Sequence, residues 1–298
     1  GKKVGFSLDL KEEAIKGSFN YIDPNYDFLG NSIEYSLFSI SNDRPNQGYE
    51  NNILGLSAGT SFEQYKDIYA TLGLSASFDD MKTKSTASES LKKQSGEFSE
   101  ISGNYGFTFD QRNRPFMPTA GTITSFSQTL PVYADRKFLA SSISTSTYKA
   151  ITENIIGAGK FYLAAINGIG NDDVRLSKRK NISTSRLRGF ESGKVGPVDG
   201  TDHVGGNYVS SLNFEASLPK LLPEYTQTDI SLFLDFANVW GVDYSDDLDD
   251  SNKIRSSTGV GASWASPLGP MTFILSTNIS KASTDVTESF NFNLGTTF

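Results

Sequence analysis

The sequence predicts an all-β chain folded as a transmembrane antiparallel β-barrel. Three observations carry this. Apolar and polar residues alternate with period two along fourteen separate stretches, several of these run ten to thirteen residues, and turn residues punctuate them. Sandwich strands average about five or six residues, whereas a tilted strand crossing a bilayer needs about nine to eleven. In lipid no water satisfies a free N–H or C=O, so such a sheet must close on itself, apolar face to the lipid and polar face to the lumen. A large soluble sandwich or barrel would show the same alternation without the same lengths.

Composition agrees with this reading. Hydrophobic residues make up 37%, mean hydropathy is −0.33, and no run approaches the roughly 18 apolar residues of a membrane helix. Aromatic residues still reach 12%, with 21 Phe and 13 Tyr, as suits a sheet with one apolar face. The absence of cysteine excludes disulfides and thiolate metal sites. A net charge of −7 argues against nucleic acid as a partner, because phosphate binding needs a basic face. No signal-peptide pattern opens the chain at Gly1, so it reads as a mature chain or an excerpt.

The expected strands are 3–10, 14–22, 31–41, 52–61, 67–78, 98–109, 121–132, 138–149, 155–169, 206–218, 229–240, 256–265, 270–279 and 289–298. In the first, Val4, Phe6, Leu8 and Leu10 alternate with Lys3, Gly5, Ser7 and Asp9. Turns follow at Pro24 to Gly30 and Glu63 to Lys66. In the fifth strand Ile68, Leu72, Leu74 and Phe78 oppose Thr71, Ser75 and Ser77; in the sixth Ile101, Tyr105, Phe107 and Phe109 oppose Ser102, Asn104 and Thr108. Further turns fall at Arg114 to Ala120, Pro219 to Thr226 and Ser266 to Pro270. In the eleventh strand Ile230, Leu232, Leu234 and Phe236 oppose Ser231, Phe233 and Asp235. Longer connections at 79–97, 170–205 and 241–255 alternate with the tight set, the sidedness of an outer-membrane barrel with its long loops outside the cell.

The closing "ESFNFNLGTTF" puts Phe290, Phe292, Leu294 and Phe298 on one face and ends on an aromatic residue, similar to the C-terminal signal of bacterial outer-membrane barrels. "RLRGF", "LFLDFANVW" and "SWASPLGPMTF" follow the order and spacing of the BamA family of barrel-assembly factors, and "QRNRPFMPTAGT" resembles that family's periplasmic turn. The resemblance covers nearly the whole chain. It implies that residues 1–298 are a barrel domain whose fourteen strands correspond to strands 3–16 of sixteen, the first two strands and the periplasmic POTRA domains being absent. A complete fourteen-stranded barrel is the alternative. It further implies that 170–205 is a long extracellular loop folded into the lumen, with Arg188, Gly189 and Phe190 as its motif and Leu187 where the family often has Val or Ile. Glu215 and Asp235 hold the positions of the motif's barrel-wall partners, and face parity independently puts both on the polar side. The last strand, with Phe290, Phe292, Leu294, Gly295 and Phe298, would be the C-terminal signal and gate edge.

The implied function is to fold and insert β-barrel proteins into the outer membrane of a Gram-negative-type bacterium without nucleotide hydrolysis. The implied partners are unfolded outer-membrane β-barrel substrates, assembly-complex lipoproteins and outer-membrane lipids. Alternatives are a translocation-and-assembly-module barrel, a two-partner secretion translocator and a diffusion porin.

The sequence argues for no enzyme, cofactor or metal. His203 is the single histidine and is expected merely to sit in the long loop. Asp243, Asp246, Asp247, Asp249 and Asp250 suggest calcium, but an EF-hand loop from Asp243 would need Gly where Leu248 stands and Glu where Ile254 stands; a solvated loop is expected. "ESGKVGP" lacks the spacing of a phosphate loop.

Overall fold

The structure is a computed structural model that describes residues 1–298 apart from 12, 116, 250, 267, 268 and 295–298. Its strands are β1 (Lys3–Lys11), β2 (Ala14–Asp23), β3 (Ser32–Arg44), β4 (Tyr49–Tyr65), β5 (Ile68–Thr83), β6 (Gly96–Asp110), β7 (Gly121–Ala134), β8 (Phe138–Thr152), β9 (Ile155–Gly168), β10 (Val198–Asp199), β11 (Asp202–His203), β12 (Tyr208–Leu218), β13 (Thr228–Trp240), β14 (Arg255–Ser266), β15 (Gly269–Ser280) and β16 (Phe290–Leu294). Fourteen of them form one antiparallel sheet in sequence order, β9 pairing directly with β12. β10 and β11 make a separate small hairpin inside the 169–207 connection. Among the described residues β1 and β16 are the two edges of the large sheet.

All fourteen expected strands are present, several longer than the hydropathy pattern indicates. β4 exceeds 52–61 at both ends, and β5 continues past 78 to Thr83. Beyond the apolar band the ladder carries on through pairs such as Asn52 with Asp80 and Glu50 with Lys82. Alternation cannot mark such a stretch, because polar residues stand on both of its faces. The expected loop 79–97 is correspondingly shortened to 84–95.

The large apolar side chains point away from the face that the loops cover. Phe6 is 75% exposed, Leu56 58% and Leu74 58%, and the same outward row continues through Leu212, Phe214, Leu232 and Leu275. An apolar area of this extent calls for an apolar surrounding. The outward row is more polar on β7 and β8, where hydroxyls pair with each other: Thr122 with Thr147 at 3.1 Å and Thr124 with Thr145 at 3.2 Å. On the opposite face short polar side chains bridge the strands, as in Ser7 with Ser18 at 2.7 Å and Ser127 with Ser142 at 2.8 Å.

Sidedness is less uniform than expected. The connections 84–95, 169–207 and 241–254 do lie at one end of the antiparallel strands, but β1–β2, β3–β4 and β7–β8 close tightly at that same end. Residues 24–31, 111–120 and 219–227 make substantial connections at the other end. Loop length alone therefore does not sort the ends.

The buried core lies on the polar face, where loops fold onto the sheet. One cluster joins Tyr49, Met81 and Phe98 of the wall to Leu91, Leu176 and Val204 of the loops. A second packs Ile182, Leu187, Phe190 and Val195 against Val209, Ala237 and Val239. Leu91 is delivered by a single helical turn, α1 (Glu89–Lys92), whose first N–H groups Ser88 caps, its hydroxyl accepting from Leu91 N at 3.1 Å.

Candidate functional site

Across β12, β13 and β14 the register aligns Asn213, Asp235 and Ser257 in one row on the polar face. The segment Arg186 to Phe190 lies over this row. Arg188 donates from Nε to Asp235 Oδ2 and from Nη2 to Asp235 Oδ1, both at 2.7 Å, and its backbone N–H donates to Oδ2 at 3.2 Å. Nη1 reaches Glu215 Oε2 at 3.1 Å. Asn213 Nδ2 donates to Asp235 Oδ1 at 2.9 Å and to the carbonyl of Arg186 at 2.7 Å. Ser257 donates to the carbonyl of Arg188. The guanidinium also stacks 3.7 Å from the centre of the Phe233 ring.

Asp235 is fully buried, at 0% exposure, and its charge is matched by a two-point fork that only arginine supplies. Burial works against the Arg188 charge, but Asp235 and Glu215 outweigh it and raise the guanidinium above its ordinary value. Removing one partner of such a buried pair costs about 3–5 kcal/mol.

Gly189 takes φ +88, and a Cβ there would stand 3.0 Å from Ser276 Oγ and 3.4 Å from Ser257 Cβ. The motif thus passes tightly over β14 and β15, as only glycine permits. Phe190 and Leu187, 2% and 1% exposed, fill the second core cluster; a buried aliphatic is what position 187 requires. The backbone then forms a short ladder with the segment leading into β16. Glu288 N donates to Gly189 O at 3.1 Å, Glu191 N to Val286 O at 3.0 Å and Val286 N to Lys194 O at 3.2 Å. The expected lumen motif and its two wall partners are brought together, and the motif also touches the approach to the last strand.

Three further arginines, none singled out from sequence, fasten neighbouring segments. Arg175, 2% exposed, donates to Asp79 Oδ2 at 3.3 Å on β5 and to Glu100 Oε2 at 2.9 Å on β6, over the Phe98 ring. Lys178 reaches Glu100 at 2.8 Å, and Asn51 Nδ2 donates to Asp79 at 2.6 Å. Arg179 pairs with Asp243 and donates to Asn207 Oδ1 at 2.8 Å. Arg255 and Asp285 form a buried fork at 2.9 and 3.0 Å that ties the 281–289 connection to β14.

Asp243 keeps an exposed position in the loop, as expected, but is also an anchor. It accepts from Arg179, Asn207 and Val174 N, and although burial pushes its carboxyl up, Arg179 first and then the two neutral donors hold it below the ordinary carboxylate value. Asp249 instead bonds Lys253 at 2.6 Å on the exposed loop, and Asp250 lies outside the described residues. His203 is buried in the loop with Nε2 3.0 Å from the carbonyl of Thr284. Phe290, Phe292 and Leu294 face outward and exposed, Phe292 against Phe273 with ring centres 5.0 Å apart. Gly295 and Phe298 lie outside the described residues.

The chain is similar to known proteins over most or all of its length. The chain is 27% identical over 252 residues to outer membrane protein assembly factor BamA of Neorickettsia risticii, covering 81% of this chain and 33% of that one. It is 23% identical to the BamA of Neisseria meningitidis serogroup B, covering 100% of this chain and 43% of the relative. The chain thus spans less than half the length of these curated relatives. The crystal structure of BamA from Haemophilus ducreyi lacking POTRA domains 1-3 superposes on 100% of this chain and 65% of its own, with TM-score 0.89 at 22% identity, a likeness of fold. The model of the Omp85 superfamily domain matches residues 1–298 throughout, and the chain belongs to the Omp85 superfamily.

Proposed function

We propose that this chain is the barrel portion of an outer-membrane protein assembly factor, which folds and inserts β-barrel proteins without nucleotide hydrolysis. In this reading the fourteen strands are strands 3–16 of a sixteen-stranded closed barrel, 169–207 is an extracellular loop plugging the lumen, and β16 is one side of the gate. The relatives' shared description as assembly factors supports it. The observation that carries it is the joint attachment of Arg188 to Phe190: ion-paired to the wall at Asp235 and hydrogen-bonded to 286–288, the segment leading into β16.

A strand edge offers unpaired N–H and C=O groups and is a template for an incoming strand. An unfolded substrate strand pairs there, gaining the hydrogen bonds that lipid cannot provide, and its own folding drives release. A plug tied both to the wall and to the edge strand transmits the state of the lumen to that edge. Accessory lipoproteins and outer-membrane lipids complete the working assembly.

Reconstituted full-length protein should accelerate insertion of an unfolded substrate barrel into vesicles, and Arg188→Ala should slow it while membrane integration persists. An unchanged insertion rate in that variant would remove the plug from the mechanism. In planar bilayers low, erratic conductance is expected; large, stable conductance would favour a diffusion porin.

A further inference from the structure

We propose that the outward surface over β8, β9, β12 and β13 is a binding site for an anionic glycerophospholipid, with an acyl chain in a groove there and the headgroup phosphate on Lys149. The inference rests on the reading of these strands as membrane-spanning.

The groove is shallow and open along the outward surface, with a volume of about 650 Å³. Its floor is made by missing side chains. On the outward face Gly159 stands opposite Thr147, Gly157 opposite Lys149, and Ala216 beyond Gly157. On β4 and β5 the outward row carries Leu54, Leu56, Leu72 and Leu74 instead. A Cβ on Gly159 would meet nothing within 4 Å, so the space there stays open, whereas Ile151 Cδ1 stands 2.7 Å from where a Cβ on Gly157 would be and closes that end of the groove. Phe214, Leu232 and Leu234 form one wall, and Thr147 and Ile151 the other. Thr147 shares its hydroxyl with Thr122, which leaves its methyl for the groove. In a bilayer the matter at hand to fill an open apolar trough is an acyl chain.

Charge selects the headgroup. Lys149 is exposed at the rim, close to the 153–154 turn, and has no ion-pair partner among the described residues. A lysine so placed carries its aliphatic stem along apolar surface and its ammonium to the headgroup layer. The end of the strands opposite the long loops is, in this reading, the periplasmic leaflet. The same stretch of β12 and β13 bears Glu215 and Phe233 on its other face, so the lipid would back directly onto the Arg188 site.

The test uses the full-length protein in phosphatidylethanolamine–phosphatidylglycerol vesicles containing phosphatidylglycerol with a photoreactive acyl chain, followed by peptide mapping of adducts. Adducts should concentrate on 147–159, 214–216 and 232–234 relative to the equally outward Leu72 and Leu74. Gly159→Leu should remove most of them, with folding checked by gel mobility. Lys149→Gln, which removes one charge and keeps most of the aliphatic stem, should lower the preference for phosphatidylglycerol about fivefold, the worth of one lysine at an anionic lipid surface. Equal labelling of the groove and of Leu72 and Leu74, or labelling that either folded variant leaves unchanged, overturns the site alone. No labelling on either surface overturns the membrane-spanning reading.

Discussion

Arg188 and Asp235 meet through two parallel hydrogen bonds of 2.7 Å each, 47 residues apart in sequence, with the carboxylate wholly buried. Because Asp235 has no access to water, Arg188→Ala leaves a buried charge uncompensated. A loss of about 3–5 kcal/mol is expected, read as a lower urea midpoint for the heat-modifiable folded form. Asp235→Asn should cost less, since it removes the charge with the same outline. The reciprocal swap Arg188→Asp with Asp235→Arg should recover part of the loss, and no recovery would mean that packing on Phe233 outweighs the pairing.

Arg175 fastens the start of the same loop to a different part of the wall, Asp79 on β5 and Glu100 on β6. Arg175→Met should raise amide exchange across 174–180 while leaving 187–191 protected. Combined with Arg188→Ala, its effect on stability should add within about 0.5 kcal/mol if the two attachments are independent. A larger discrepancy would reveal that the loop moves as one body.

Acid should release the Arg179 anchor. Asp243 has its folded pKa held below the unfolded one, so its contribution is complete above the unfolded value and disappears as pH falls through the folded value. Protease susceptibility within 169–182 should therefore rise below about pH 4. Asp243→Asn should flatten that dependence, and an unaltered acid response in the variant would point to other carboxylates.

Gly189 and Gly200 both have positive φ, at +88 and +64, but only Gly189 is crowded. Gly200→Ala should cost about 1–2 kcal/mol, the penalty of the left-handed region alone. Gly189→Ala should cost more, because the new methyl meets Ser276 and Ser257. Equal midpoints for the two variants in urea would show that β14 and β15 yield without resistance.

Much of this arrangement was legible in the sequence. Alternation placed all fourteen strands and put Glu215 and Asp235 on the right face. The same parity puts Asp79 and Glu100 beside Ser77 and Ser102 on the polar side, yet nothing local identifies their partner, since Arg175 lies 96 and 75 residues away in an irregular segment. Nothing local distinguishes Asp243 from the other exposed aspartates of its run; only the fold brings Arg179 and Asn207 to this one. The ladder between 189–194 and 286–288 joins two stretches without periodicity, and backbone pairing between loops leaves no trace in side-chain pattern.

The tightly packed clusters of this molecule join loop to wall, whereas the sheet's own large apolar side chains turn outward. This separates two events in time. Strand pairing is between sequence neighbours at every step but one, so the shell can zip from hairpin to hairpin with little chain entropy lost at each stage. The interior must wait, because Ile182, Leu187 and Phe190 have no surface to pack on until β12 and β13 stand side by side. Pulse-labelled amides of β4 to β8 should gain protection before those of 182–195, so the sheet stands bare first and its polar face is furnished afterwards.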